Sequence, residues 1–552
     1  MKENLIIPLS LFLTMITISI HGQTQISSKI IGQNYWMPKH SNYNSLGNSL
    51  NGMLQSHWSD IQNSGVKYIR IGGKDYDKNK MFNNMDTLAK IIDNIRMIGA
   101  EPIIQMPIKD NISLSDNVNE ATLLITRINI DRNKGVKYWV IGNEPDGAYT
   151  KWNVADSISK YIKGISPAMK AVDGSIKIIG PSITAFNPSG DGNMMKKFAD
   201  PHYNGTNNPH SAYLLGSHST YGPYIDAISF HIYPFRDTTN LATITRNDVI
   251  SYLRSSGRLK DDLNSLNTWI FNAGRTSNLT VAITEANFSF QQRPSDRSFS
   301  GLGPGSFIAG QFLAEMFSVA MEEKVEFLNW WSVREGTSSD NYLSDIGYIR
   351  HETGTKRSAY FHFKQMAENF SGTYYQGITS GTNLKAFASK GINKIAVMIL
   401  NQDPDSLAAK AYTIRLDGVQ PTSPNYVKLD IGIGLNGPHS DSIKASSTSL
   451  LIFDCQGNMV KNYRYEQTDP NSPFKLAWHL GSDSIADQLE FNAYPSAAVY
   501  YDIVIGTASS VISVNTLGPH VFKSVNTITV NGEFTVPLGE TLDLYPTSAN
   551  CN

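Results

Sequence analysis

The chain predicts an α/β fold, a (β/α)8 barrel followed by β-rich domains, on three observations. Short, almost wholly apolar segments alternate with segments of helical period over the first two thirds of the sequence. Several of those apolar segments stop abruptly on a polar or charged residue. From about Gly377 the texture changes to short β-prone runs separated by turns. Strands too apolar for a half-wet sheet belong to a parallel sheet covered on both faces. Eight of them with helices between fit a closed barrel with long loops. A doubly wound open sheet would carry a glycine fingerprint after its first strand, and none is present.

In order, Lys29–Met37 (KIIGQNYWM) reads as the first strand, Leu54–Ser64 as a helix and Val66–Ile71 (VKYIRI) as the second strand, closed by Gly72-Gly73. Met85–Ile98 places Ile91, Ile92, Ile95 and Ile98 at helical spacing. Pro102–Met106 is the third strand, Ala121–Asn129 a helix and Val136–Gly142 (VKYWVIG) the fourth strand. A helix over Val154–Ala171 and the strand Ile176–Gly180 follow, then a loop-rich stretch, Asn187–Gly216. Ile225–Tyr233 (IDAISFHIY), Val281–Glu285 and Val325–Trp331 (VEFLNWW) complete the eight strands. Helical patterns over Asp248–Ala273 and Phe307–Glu322 separate them, and Ala359–Phe370 closes the barrel.

The expected division is a signal segment (residues 1–22), the barrel (23–373), a β-sandwich (374–464) and a terminal β-rich domain (465–552). The sandwich rests on Leu384–Ala388, Ile395–Leu400, Ala411–Leu416, Val427–Leu429 and Ser449–Phe453; the last domain rests on runs such as Val499–Ile505 and Thr527–Val530. Met1–Gly22 has an early lysine, an apolar run from Leu5 to Ile20 and small or polar residues at its end. That is the form of a secretory signal, too short for a comfortable membrane span, and it leads us to expect a secreted, periplasmic or cell-surface protein. No cysteine follows it to suggest a lipid anchor. Cys455 and Cys551 either pair, tying the tail down, or stand as two free thiols.

A net charge of −1 with 17% charged residues leaves no field of one sign for nucleic acid, and no later stretch is apolar enough to cross a membrane. Twenty-six tyrosines and eight tryptophans suit an uncharged ligand such as a sugar, although aromatics are also ordinary core material. Oligomeric state leaves no mark that can be read.

The chemistry sits at the strand ends. Strand two ends at Arg70, strand four at Asn143 and Glu144, strand six at His231 and Tyr233, strand seven at Glu285, and strand eight at Trp330 and Trp331. A barrel opens all these ends onto one face. Two carboxylates there are the minimum apparatus for hydrolysing a glycosidic bond: one protonates the leaving oxygen, the other attacks the anomeric carbon or activates water. Arg70 is a candidate donor to Glu285, with pairing to Asp75 or Asp77 as its alternative. Asn143 suits a sugar hydroxyl, Tyr233 the nucleophile and His231 the network between them. One tryptophan offers an apolar plate, with Trp331 favoured over Trp330. Tyr35 and Trp36 are candidate subsite walls, with core packing as the alternative. Glu335 and Asp345 border the cleft, and Arg236, Arg293, Arg297 and Arg334 are the arginines available for an acidic substrate. No H-E-x-x-H, Cys/His cluster or EF-hand pattern implies a metal, and no phosphate loop implies a nucleotide cofactor.

This constellation resembles clan A of the glycoside hydrolases, marked by Asn-Glu, often with Pro, at the end of strand four and a second glutamate at the end of strand seven. Asn143-Glu144-Pro145 and Glu285 in ITEANF match those marks. The resemblance covers roughly residues 28–370. It implies a retaining hydrolase of O-glycosidic, mostly β, bonds in polysaccharides or oligosaccharides, with Glu144 as acid/base and Glu285 as nucleophile. The appended β-sandwich is similar to that of families 39, 51, 30 and 79, and WVIGNEPD with IRIGG leans toward families 39 and 79. The competing expectation is a non-catalytic carbohydrate-binding or surface-assembly protein on a degenerate barrel.

Overall fold

The computed structural model describes residues 24–35, 57–78, 85–147, 155–186, 194–202, 216–235, 243–254, 259–292, 298–335, 343–381, 383–404, 407–433 and 439–479, together with strands between 484 and 546. The expected signal segment and Trp36 lie outside the described residues.

Eight parallel strands close into a barrel: β1 (Gly32–Tyr35), β2 (Tyr68–Ile71), β3 (Glu101–Met106), β4 (Tyr138–Ile141), β5 (Lys177–Ile183), β6 (Ala227–Ile232), β7 (Thr280–Ala286) and β8 (Phe327–Trp330). Each pairs with its neighbour in sequence, and β8 returns to β1 through Asn329 opposite Gly32. Gly32 is required there, because a Cβ would stand 2.5 Å from the Asn329 amide. Around the strands run α1 (Trp58–Asn63), α2 (Met85–Met97), α3 (Leu114–Ile125), α4 (Ala155–Val172), α5 (Met194–Ala199), α6 (Leu259–Asn272), α7 (Phe307–Glu322) and α8 (Ser358–Asn369). Asp248–Ala273 resolves into two helices, Arg246–Tyr252 and α6. Helix α3 begins seven residues earlier than the apolar pattern predicts, because Ser113 and Asp116 form a capping box that the polar first turn obscures.

Inside the barrel Ile103, Tyr138, Val140, Ile179, Ala227, Ala282 and Phe327 fill the lower layer. The outward-facing strand residues join the helices in one large core, which places Tyr35 away from the cleft. Tyr35 is 1% exposed and stacks on Trp58 of α1, with ring centroids 5.5 Å apart. The reading of Tyr35 as a subsite wall is therefore corrected to core packing.

Two antiparallel-rich sheets follow. The larger contains β9 (Thr373–Gln376), β11 (Leu384–Lys390), β12 (Ile395–Asn401), β16 (Ser447–Phe453), β17 (Met459–Glu466) and β18 (Lys475–His479), with Thr24–Gln25 added at the β9 edge. The smaller contains β10 (Ile378–Thr379), β13 (Lys410–Arg415), β14 (Tyr426–Lys428) and β15 (His439–Ile443). Strand β12 (IAVMILN) has no polar face because both faces are covered. Ile395, Val397 and Ile399 pack against the smaller sheet, while Ala396, Met398 and Leu400 pack toward the barrel helices. The seam is polar as well as apolar. Gln311 of α7 donates to Ser447 O at 2.8 Å, His362 Nε2 lies 2.9 Å from Thr448 Oγ1, and Arg246 Nη1 donates to Gln402 O at 3.0 Å.

Two of the expected boundaries move. Strand β17 runs across 464/465 and pairs with β18, so the larger sheet continues to His479. Thr24 and Gln25 belong to that sheet and not to the barrel. Further on, Val499–Ile505 pairs in parallel with His520–Val530, which pairs in parallel with Leu542–Pro546. Val511–Ser513 pairs in parallel with Glu533–Thr535. Cys455 is disulfide-bonded. Among the described residues no helix is long and apolar enough to cross a membrane.

Candidate active site

At the C-terminal ends of β2, β4, β6 and β7 one buried network joins the polar residues that the sequence scatters. Arg70 is fully buried and its guanidinium meets four acceptors. Nη1 donates to Glu285 Oε1 at 2.7 Å and to Asn34 Oδ1 at 2.9 Å; Nη2 donates to Asn143 Oδ1 at 2.8 Å and to Gln105 Oε1 at 3.1 Å. Arg70 thus pairs with Glu285, while Asp77 is bonded by the Gln105 amide. The second oxygen of Glu285 accepts from the Tyr233 hydroxyl at 2.8 Å. Two donors, one cationic, hold this carboxylate in a single orientation. Burial and the adjacent Glu285 push the Tyr233 hydroxyl well above its ordinary value, so it stays protonated and donates.

Glu144 follows β4 with φ of +46°, a left-handed conformation costly for a side chain with a Cβ. Its amide donates to Ser182 O at 2.9 Å, which holds the turn in place. The Gly142 step just before it, at φ +71°, leaves no room for a Cβ beside Ile108. His231 Nδ1 lies 2.9 Å from Glu144 Oε1 and 3.4 Å from Glu285 Oε2. Its Nε2 is buried with no hydrogen-bond partner, which assigns the ring proton to Nδ1, between the two carboxylates. Burial lowers the His231 pKa to about 4, so the imidazole is neutral at pH 7 and donates without adding charge. Atoms of Glu144, His231 and Glu285 all lie within 4.8 Å of one another.

Such a cluster has metal-ligand composition. However, Arg70 already sits 2.7 Å from Glu285 and Tyr233 takes its other oxygen, so a divalent ion would meet a fixed cation and a committed carboxylate. The donor set fits an acid pair, not a metal centre.

Of the layer beneath, the sequence singled out only Asp77, as an alternative partner for Arg70. Asn34 donates to Thr284 O and Asn329 O while accepting from Arg70. Gln105 accepts from Arg70 and from Gly73 N at 2.7 Å, and donates to Asp77 at 2.8 Å. Asp77 also accepts from the amides of Ile108 and Asn143, at 2.9 and 3.1 Å. Burial pushes its carboxyl up to about 8 against those three donors. Asp146, two residues past Glu144, accepts from Thr184 N at 2.9 Å. Burial, together with the charge of Glu144, raises its carboxyl above the usual range. A signal existed for Gln105, the polar residue near the end of the apolar run PIIQM, whereas Asn34 stands beside Gln33 in GQNY without that contrast.

Trp330 is 1% exposed and belongs to the core, whereas Trp331 stands at the mouth and donates its indole N–H to Glu335. The Trp331–Ser332 peptide is cis. Arg334 faces His57, with Nη1 and Nε2 2.9 Å apart, and Asp345 pairs with Arg357 at 2.9 Å. Arg236, Arg293, Arg297 and Trp36 lie outside the described residues.

No family model matches this chain, and no curated protein sequence is significantly similar to it. In three dimensions it is similar to AbfB, a family 51 α-L-arabinofuranosidase from Bifidobacterium longum, with a TM-score of 0.54 at 12% identity over 78% of this chain and 96% of that one. It is similar also to a Paenibacillus polymyxa family 44 xyloglucanase solved with xyloglucan, with a TM-score of 0.52 at 12% identity over 78% and 97%. At this identity the likeness is one of fold. It spans the barrel together with much of the β-rich region, so the (β/α)8 barrel with appended β-sheets is an arrangement these proteins share.

Proposed function

We propose that the protein is a retaining glycoside hydrolase acting on O-glycosidic bonds, chiefly β, of a polysaccharide or its oligosaccharides. The observation that carries the reading is the pair Glu144 and Glu285, joined through one neutral histidine N–H, with atoms of the cluster within 4.8 Å of one another. Retention requires carboxyl groups about 5–5.5 Å apart, whereas inversion needs room for a water between them.

Glu285 is the nucleophile. Arg70 and Tyr233 each hold one of its oxygens, so an oxygen lone pair is aimed and the departing negative charge has waiting donors. Glu144 is the acid/base. Half-buried and reached by His231, it gives its proton to the leaving oxygen as the C1–O bond breaks and the Glu285–C1 bond forms. In the second step Glu144 takes a proton from water, whose oxygen attacks C1 and releases Glu285. Asn143, with its Oδ1 turned to Arg70, presents its amide N–H groups toward the sugar hydroxyl beside C1. Trp331 supplies an apolar face. No step requires a cofactor.

The fold neighbours, an arabinofuranosidase and a xyloglucanase, support the hydrolase class. The WVIGNEPD and IRIGG segments support a place near families 39 and 79. The amino-terminal segment supports export to the periplasm, cell surface or medium.

A panel of aryl glycosides and plant, algal and host polysaccharides, with E144Q and E285Q as controls, tests the reading. Product-anomer NMR should show the starting anomeric configuration in the first-formed sugar. Inversion would remove Glu285 as nucleophile. Turnover undiminished in both variants would remove the site, and inertness of the wild type across the panel would favour the carbohydrate-binding alternative.

A further inference from the structure

Among the large apolar side chains exposed to solvent, Phe290 differs from the rest in where it stands and how it is held. It lies five residues beyond Glu285, is 41% exposed, and its ring meets Tyr233 edge-on, with centroids 6.0 Å apart at 89°. Tyr233 is the side chain that bonds Glu285, so Phe290 lies directly outside the reacting position.

The backbone on both sides is clamped. Asn287 N donates to Ile232 O at 3.1 Å, and its side chain donates to Ile346 O at 2.9 Å. Phe288 is fully buried against Phe235 and Phe312, with centroids at 4.7 and 5.4 Å. Ser289 Oγ donates to Gln291 O at 2.8 Å, and Gln292, fully buried, donates its amide to Leu343 O at 2.7 Å. An apolar ring on a mobile loop would fold inward. Here buried neighbours at 288 and 292 hold it out at the mouth. Exposed Phe271, at the end of α6, has no such setting and is ordinary surface.

Charge narrows the ligand. The carboxyl groups among the described residues in this part of the cleft are Glu144, Glu285 and Glu335. Glu144 and Glu285 line it, and Glu335, bonded to Trp331, is close enough to act on the Tyr233 hydroxyl. The cation among them, Arg70, is fully buried and engaged with four acceptors, and Arg334 is turned to His57. A carboxylated or sulfated ring here would meet like charge, whereas an uncharged ring meets an aromatic edge and hydroxyl acceptors.

We propose that Phe290 forms the wall of a second-ring subsite, taking an uncharged sugar ring adjoining the one under attack. The inference rests on the glycosidase reading and extends it to substrate class. An aromatic wall that contacts one ring contributes about tenfold in affinity.

The test compares wild type, F290A and F290W on substrates sharing one glycone: the monosaccharyl fluoride, the aryl monoside, the aryl bioside and the free disaccharide. In F290A, kcat/KM for the disaccharide or the bioside should fall about tenfold, mostly through KM, and at least fivefold further than for the fluoride. F290W should keep activity within about threefold of wild type. Loss on the aryl monoside places the subsite on the leaving-group side, and loss confined to the bioside places it on the other. Equal losses on fluoride and disaccharide, or no loss on any two-ring substrate, overturn the proposal. Calorimetric titration of E285Q and E285Q/F290A with uncharged oligosaccharides and their uronate counterparts separates the two claims. If the wild type turns over none of the substrates, weaker binding by E285Q/F290A than by E285Q keeps the subsite while the hydrolase reading falls. Tighter binding of the uronates overturns the uncharged class, and no binding by either protein overturns the subsite.

Discussion

Replacing Arg70 by methionine should separate a structural ion pair from an incidental contact. Arg70 is 0% exposed and stands 2.7 Å from Glu285 Oε1, with further bonds to Asn34, Asn143 and Gln105. Removing one partner of a buried pair strands the other charge, at a cost of about 3–5 kcal/mol. Two of the remaining acceptors, Asn34 Oδ1 and Asn143 Oδ1, lose this donor too, whereas Gln105 Oε1 keeps the amide of Gly73. Each orphaned acceptor adds about 1 kcal/mol or more. R70M should therefore lose about 5 kcal/mol or more, read as a lowered urea midpoint of tryptophan fluorescence, for which Trp139, Trp330 and Trp331 are buried barrel reporters. The decisive variant is R70M/E285Q. With the stranded charge gone, about 2 kcal/mol or more should return, so the double-mutant cycle gives a coupling of that size. A coupling below about 0.5 kcal/mol would show that Arg70 and Glu285 do not act as a pair, and the nucleophile assignment would lose its main support.

Three further outcomes follow from the same geometry. Y233F removes the donor on Glu285 Oε2, a hydrogen bond to a charged group worth about 1.5–3 kcal/mol, so kcat should drop about tenfold to a hundredfold and the urea midpoint should fall by less than in R70M; a kcat within twofold of wild type refutes the role. His231 and His362 are both buried with pKa lowered to about 4, so the unfolded chain binds their protons near pH 6.5 and the folded chain does not until about pH 4. Stability is then complete above about pH 6.5 and falls as pH drops toward 4, and imidazole NMR should find both rings neutral at pH 5.5; a protonated ring there refutes the burial argument. Cys455 is disulfide-bonded and the chain holds one other cysteine, Cys551, so the unreduced, denatured protein should give no thiol reaction; two reactive thiols per chain would refute the pairing.

What the sequence made legible is whatever one-dimensional pattern encodes directly. Barrel strands appear as apolar runs because both their faces are covered, and their functional ends appear because a glutamate or histidine closing such a run has no packing reason to be there. The same logic misled at Tyr35, since a strand residue one step from the cleft faces the helix layer, and alternation alone does not reveal the phase. It offered Asp77 only as an alternative partner for Arg70; that residue, in the short helix Lys74–Lys78 after β2, joins the site by accepting from the backbone amides of Ile108 and Asn143. It also split the larger sheet at 464/465, where β17 is too polar to read as the interior strand that β18 makes it. Phe290 joins these cases from the other side. As a letter it is one more aromatic in ANFSF, and only the burial of 288 and 292 on either side fixes which way it points. Catalytic groups at strand ends are set by the barrel itself and can be read early. The groups that choose a substrate stand on loops, so their role emerges only once the neighbours that clamp them are known.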